Sequence, residues 1–172
     1  MTQIIRNRHV EDDRWATLGL DPDENLRRLA DGAIIVPLPL WKSRREQLLA
    51  RHQPLGVWLA PDEEPGDIAA DLAHFSIVAV HFPKWGDGRG YSTATLLRRR
   101  HRYRGELRAF GELGRDHVFM LARVGFDSIR LADRHDPHAA LAAFDDFSLR
   151  YQGAVDDPVP LFRRRAEGAQ LQ

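Results

Sequence analysis

Residues 81–92 read His81-Phe82-Pro83-Lys84-Trp85-Gly86-Asp87-Gly88-Arg89-Gly90-Tyr91-Ser92. The glycines at 86, 88 and 90 permit close backbone approach and torsions closed to other residues. A loop of this kind that runs into a helix offers N–H groups without intrahelical partners. That setting suits phosphate, sulfate, sulfite or carboxylate. The backbone at Gly88 and Gly90 would supply donors, Lys84 and Arg89 charge, and Tyr91 and Ser92 hydroxyls. The same residues also make an ordinary rigid turn, with Ser92 capping its helix and Asp87 bonding its own loop. Neither nucleotide-binding glycine fingerprint is present at the right place.

A second group follows the next apolar run: Glu112, Arg115 and Asp116. On adjacent strands these residues would lie near the 81–92 loop. Asp87, Glu112 and Asp116 are then candidates for proton transfer, and Arg115 joins the anion-binding set. The plainer alternative is surface ion pairing, with Asp116 as a helix cap. His81, at a strand end, would titrate near neutrality. His135 and His138 are separated by Asp136 and Pro137 without a third ligand, so no metal site is expected. The sequence lacks G-x-S-x-G, which leaves a serine-hydrolase mechanism without support.

These residues need a frame that brings strand ends together. Short apolar runs predict buried strands at Ala33–Val36, Leu55–Ala60, Ser76–His81, Glu106–Phe110, Phe126–Leu131 and Phe147–Tyr151. Helical patterns fall between them, at Ser43–His52, Gly66–His74, Ser92–Arg102, Asp116–Val124 and Pro137–Phe144. Such alternation implies an α/β fold with a mainly parallel sheet of about five or six strands and helices on both faces. An open doubly wound sheet is preferred, because about six strands cannot close an eight-stranded barrel alone; a partial βα barrel is the alternative. The chain reads as one domain over residues 1–172. Residues 1–20 form an arm or hairpin around Asn7, and 153–172 a polar tail.

Composition narrows the chemistry further. The 172 residues carry 25 Lys+Arg and 25 Asp+Glu, so the formal charge is zero and a general polyanion binder is disfavoured. There is no cysteine. Disulfides, thiolate nucleophiles and cysteine-held zinc or iron–sulfur clusters are therefore excluded, and no intrinsic cofactor is expected. No apolar run reaches the ~18 residues of a membrane span, and the N-terminus lacks a secretory h-region, so a cytoplasmic protein is expected. The basic run Arg98-Arg99-Arg100-His101-Arg102-Tyr103-Arg104 predicts a solvated face or a docking surface for an acidic partner. Nucleic acid is disfavoured, since no stacking aromatics interleave with these arginines.

The block Phe82-Pro83-Lys84-Trp85-x-Asp87-Gly88-Arg89-Gly90-Tyr91-Ser92-x-Ala94-x-Leu96-Leu97-Arg98 resembles the signature of bacterial domain-of-unknown-function family 934. The stretches Gly105-Glu106-Leu107-Arg108-Ala109-x-Gly111, Arg115-Asp116 and Gly125-Phe126-Asp127 resemble its second block. The sequence departs from that pattern at His81, His117 and Val124, where relatives tend to carry a carboxylate, a glutamine and a cysteine. Members are often labelled as oxidoreductases of sulfite reduction. The resemblance thus implies a role in sulfur assimilation, as an accessory protein docking to sulfite reductase or its electron donor. An enzyme acting on a small phosphorylated or sulfur-oxyanion substrate held by the 84–92 loop is the alternative.

Overall fold

In the computed structural model, which describes residues 2–21, 32–147, 153–160 and Arg163, one sheet dominates. Its eight strands are β1 (Gln3–Arg6), β2 (His9–Asp12), β3 (Trp15–Thr17), β4 (Ala33–Pro37), β5 (Leu55–Leu59), β6 (Ile77–Phe82), β7 (Glu106–Gly111) and β8 (Ser128–Arg130). Their order across the sheet is β2-β1-β8-β7-β6-β5-β4-β3. From β3 to β8 each strand lies parallel to the next in sequence. At the far edge β1 runs antiparallel to β8, and β2 antiparallel to β1.

This order corrects the expected open doubly wound sheet. A doubly wound sheet reverses its strand order midway, whereas here the order from β3 to β8 never reverses. Right-handed crossovers then deliver every connection to one face. Side-chain parity agrees. Ile34, Val36, Val57, Leu59, Val78, Val80, Leu107, Ala109 and Ile129 share one core with helix residues Trp41, Leu48, Ala94, Leu97, Val118 and Leu121. The opposite parity, Ile35, Trp58, Ile77 and Ala79, forms a separate small cluster with Trp15 and Phe110 and includes no helix residue. Among the described residues, helices therefore cover one face, not both.

The strand count exceeds expectation because the N-terminal arm is part of the sheet. Asn7 (φ 48°) and Arg8 (φ 67°) both sit in the left-handed region, as a two-residue type I′ hairpin turn requires. The edge strands β2 and β3 lie at opposite ends of the sheet order but are joined by Asp13 and Arg14 alone. Three virtual bonds reach no further than ~11 Å, so the sheet must curl until its two edges approach. The curled, sequentially ordered sheet is closer to the partial barrel than to the open sheet.

The helices are α1 (Leu38–Leu49), α2 (Arg89–Arg99), α3 (Arg115–Arg123) and α4 (Pro137–Ala140), with 3₁₀ turns at Pro65–His74 and Leu141–Asp145. Helix α1 begins at Leu38 rather than Ser43, because Pro39 falls in its first turn, where the missing N–H costs nothing. Helix α2 starts at Arg89, three residues before the cap expected at Ser92. Gly125 (φ 102°) stops α3 as its position suggests. The strand expected at Phe147–Tyr151 lies outside the described residues except for Phe147, as does most of the expected tail beyond Pro160. No described helix is long and apolar enough to cross a membrane.

Candidate functional site

The 84–92 loop leaves β6 and enters α2, and it supplies its own anion. The Asp87 carboxylate accepts from Arg89 Nε (2.9 Å), from Arg89 Nη2 (2.6 Å) and from the Arg89 backbone N–H (3.2 Å). The Arg89 guanidinium thereby holds the Asp87 carboxyl down at about 2. The guanidinium expected to meet a ligand is thus matched by a carboxylate two residues away. Tyr91 N–H donates to Gly88 O at 3.2 Å, and the Tyr91 ring packs edge-on against Phe82. Ser92 is exposed inside the helix and caps nothing. Gly90 is needed for packing: a Cβ there would lie 2.4 Å from Phe82 Cζ. Lys84 remains exposed at the loop's start.

The second expected group comes near this loop without forming a cluster. Glu112 N–H donates to Phe82 O at 2.7 Å, while its carboxylate pairs with Arg134 at 2.8 Å. Arg115 turns away to Asp146, 2.6 Å distant. Asp116 is exposed in the first turn of α3, and Gly114, not Asp116, holds the cap position. The joint between loop and helix is made instead by His117. Its Nδ1 accepts from Gly114 N–H (3.1 Å), which leaves Nε2 as the donor to Trp85 O at 3.0 Å. Trp85 packs edge-on over the same ring, with centroids 4.3 Å apart. His117 is a structural clip between the two loops, and its spacing from Gly114 is the capping-box spacing.

A different set of residues converges on the face that the described helices leave uncovered. Register places His81, Phe110 and Arg130 side by side on β6, β7 and β8, near their carboxyl ends. One step deeper lie Trp58, Ala79, Arg108 and Ser128. The Phe110 ring stacks on His81 (4.9 Å, 25°), and both meet Trp58 edge-on at 5.8 and 5.7 Å. Trp58 is fixed by donating Nε1–H to Leu18 O at 2.8 Å. His81 is half-buried, and burial pushes its imidazole below the ordinary 6.5, so the ring is neutral at pH 7. Arg130 is also half-buried, yet its guanidinium has no hydrogen-bond or ion-pair partner among the described residues. Phe110 and Arg130 open on a cleft of about 500 Å³, also lined by Gly111, Glu112, Asp133 and Arg134.

Deeper still the same face is closed by charge. Arg108, 1% exposed, donates from Nη1 to both Asp13 oxygens at 2.9 Å, from Nη2 to Glu106 at 3.1 Å and from Nε to Ser128 Oγ at 3.2 Å. Ser128 in turn donates to Glu106 at 2.6 Å, and Arg6 pairs with Glu106 at 2.9 Å. Asp13 belongs to the two-residue strap between the sheet edges, so this network pins the strap over β7.

Arg130, Phe110 and Trp58 were absent from the sequence-based candidates. For Phe110 and Arg130 the signal is the alternation Glu106, Arg108, Phe110 against Leu107, Ala109 in β7 and Ser128, Arg130 against Ile129 in β8, a period of two that marks a face without helices; the continuous apolar run of β5 hides Trp58.

Fold and site together define a mainly parallel α/β domain, wound in sequence from β3 to β8, whose curled sheet opens a partly polar mouth at the carboxyl ends of its parallel strands. Within that class the chain belongs to the family described as bacterial protein of unknown function (DUF934), whose model matches residues 56–162. That span includes the 84–92 loop, all of β5 but Leu55, β6 to β8 and the whole His81–Phe110–Arg130 row. No curated protein matches the chain.

Proposed function

We propose that the mouth of the sheet binds a small oxyanion, and that the chain supports assimilatory sulfite reduction as an accessory without redox groups of its own. One observation carries the reading: a half-buried Arg130 guanidinium, without a partner among the described residues, beside the cleft at the strand carboxyl ends. Guanidinium presents a planar fork of donors that fits carboxylate, phosphate or sulfur oxyanions. A bound anion would supply the charged partner that no described side chain gives it. Sites in parallel α/β proteins gather at this end of the strands, which favours Arg130 over a guanidinium elsewhere. The sulfur side rests on the resemblance described above and on a sequence with no cysteine, which leaves electron transfer to sulfite reductase or its donor.

A second reading, an enzyme acting on that oxyanion, is favoured by His81. It is neutral, and its ring nitrogens make no hydrogen bond among the described residues. It is therefore the titratable group in the row best suited to move a proton.

Calorimetric titration with sulfite, sulfate and phosphate tests the site. Binding that is lost in Arg130→Gln is the expected result; equal affinity in the variant, or no binding at all, refutes it. The pathway assignment is tested by pull-down against purified sulfite reductase and by growth of a deletion strain on sulfate as sole sulfur source. No association together with normal growth would overturn it.

A further inference from the structure

The cleft is larger than a bare oxyanion needs, and its apolar lining, with Leu131 and Ala132, includes the aromatic Phe110. About 500 Å³ falls within the ~300–1,000 Å³ typical of organic-ligand sites. An oxyanion of four or five heavy atoms displaces only a few waters, each accounting for ~30 Å³. Most of the space would stay wet around sulfite or sulfate alone.

The row geometry says what would fill the rest. Phe110 sits between His81 and Arg130, one strand spacing (~4.8 Å) from each backbone. One face of its ring is covered by the stacked His81 imidazole. The side toward β8 faces Arg130. An arginine beside a phenylalanine commonly lays its guanidinium over the ring. Arg8, Arg45, Arg98 and Arg123 each lie over a ring in this protein, but Arg130 does not lie over Phe110. The guanidinium and the aromatic face thus border the same cleft without satisfying each other, and Trp58 braces Phe110 edge-on from below.

We infer that the mouth takes a planar, conjugated organic anion. Its carboxylate, sulfonate or phosphate meets Arg130, and its ring lies against the free side of Phe110. This inference rests on the oxyanion reading of Arg130 and narrows it to a substrate class. Ring-on-ring packing adds to the charge-assisted hydrogen bonds and uses surface that an inorganic anion leaves untouched.

The experiment is a calorimetric or NMR titration of the full chain with three probes at neutral pH: benzenesulfonate, cyclohexanesulfonate and inorganic sulfate. Benzenesulfonate is expected to bind about tenfold more tightly than either of the others, the scale of an aromatic contact. Phe110→Leu is expected to abolish that preference. Arg130→Gln is expected to weaken all three. Equal affinities for the three probes, with dependence on Arg130 intact, would overturn the planar ligand and leave the oxyanion site standing. Failure of every probe, or indifference to Arg130→Gln, would remove both. The comparison of the two organic sulfonates needs no variant, so a misfolded Phe110→Leu protein leaves a decisive result.

Discussion

Removing the Arg108 guanidinium tests whether charge really holds the strap over the curled sheet. In Arg108→Met the side-chain length is nearly kept, but four donor contacts vanish, to Asp13, Glu106 and Ser128. Glu106 retains Arg6 and the Ser128 hydroxyl. Asp13 keeps the Trp15 N–H at 3.1 Å and is otherwise stranded, with a side chain only 3% exposed. Breaking a buried pair from one side costs about 3–5 kcal/mol. A chain of this length loses ~2–4 °C of melting temperature per kcal/mol, so the variant should melt ~6–20 °C lower. Asp13→Asn should cost less, about 1–3 kcal/mol, because Arg108 still has Glu106 and the asparagine oxygen can accept. Urea unfolding of the wild type, Arg108→Met, Asp13→Asn, Asp13→Ala and Asp13→Ala/Arg108→Met measures these terms. The double variant carries no stranded Asp13 and should be at least as stable as Arg108→Met. An Arg108→Met loss below ~1 kcal/mol, or a double variant whose loss is the plain sum of the singles, would refute the pinned strap.

Three further outcomes follow from the same contacts. Asp87, whose carboxyl is held near 2 against an ordinary 3.8, contributes stability that is complete above about pH 4 and fades as pH falls through about 2. Acid titrations should therefore show a shallower decline for Asp87→Asn than for wild type across that window. His81 runs the other way: its folded value lies below 6.5, so the unfolded chain binds the proton more readily and stability falls as pH drops below 6.5. His81→Phe should flatten that slope in unfolding curves collected between pH 7 and 5. Gly90→Ala should destabilise by about 1–3 kcal/mol, since its Cβ would overlap the Phe82 ring, while Gly86→Ala, with open space around it, should stay within ~0.5 kcal/mol in the same assay.

Much of the frame was legible because burial writes itself into short apolar runs. Strands β4 to β8 fall where those runs lie, and the β1–β2 hairpin turns at Asn7. Strand β3 was not legible: Trp15–Thr17 is too short for a period to show. Strand order was not legible either, because a run of apolar residues records burial and not which neighbour provides it. The single-faced arrangement of helices left a partial trace. In β7 and β8 the pattern alternates, with Glu106, Arg108, Ser128 and Arg130 on the open side. The continuous runs of β4 to β6 masked that trace, because Ile35, Trp58, Ile77 and Ala79 pack apolar side chains on the open face too. Among the candidate residues, Asp87 was read for proton transfer and Arg89 for anion binding, and in the structure the two pair with each other. A charged pair two residues apart can always close on itself, and spacing alone does not say whether it will.

That self-closure leaves the 84–92 loop without an unmatched guanidinium. A ligand competing for Arg89 must displace a carboxylate that is tethered two residues away and therefore present at high effective concentration. A ligand approaching Arg130 displaces only water, since no described side chain answers that guanidinium. Arg130 is also carried on β8, which is paired with β7 on one side and β1 on the other. The backbone beneath that charge is already ordered, so binding has only the Arg130 side chain left to fix. The 84–92 loop then has a definite part to play. Through Gly90 against Phe82, and Trp85 against His117, it holds the ends of β6 and β7 in place around the mouth. The glycine-rich block would be a frame for the site, and the strand row the part of it that meets the ligand.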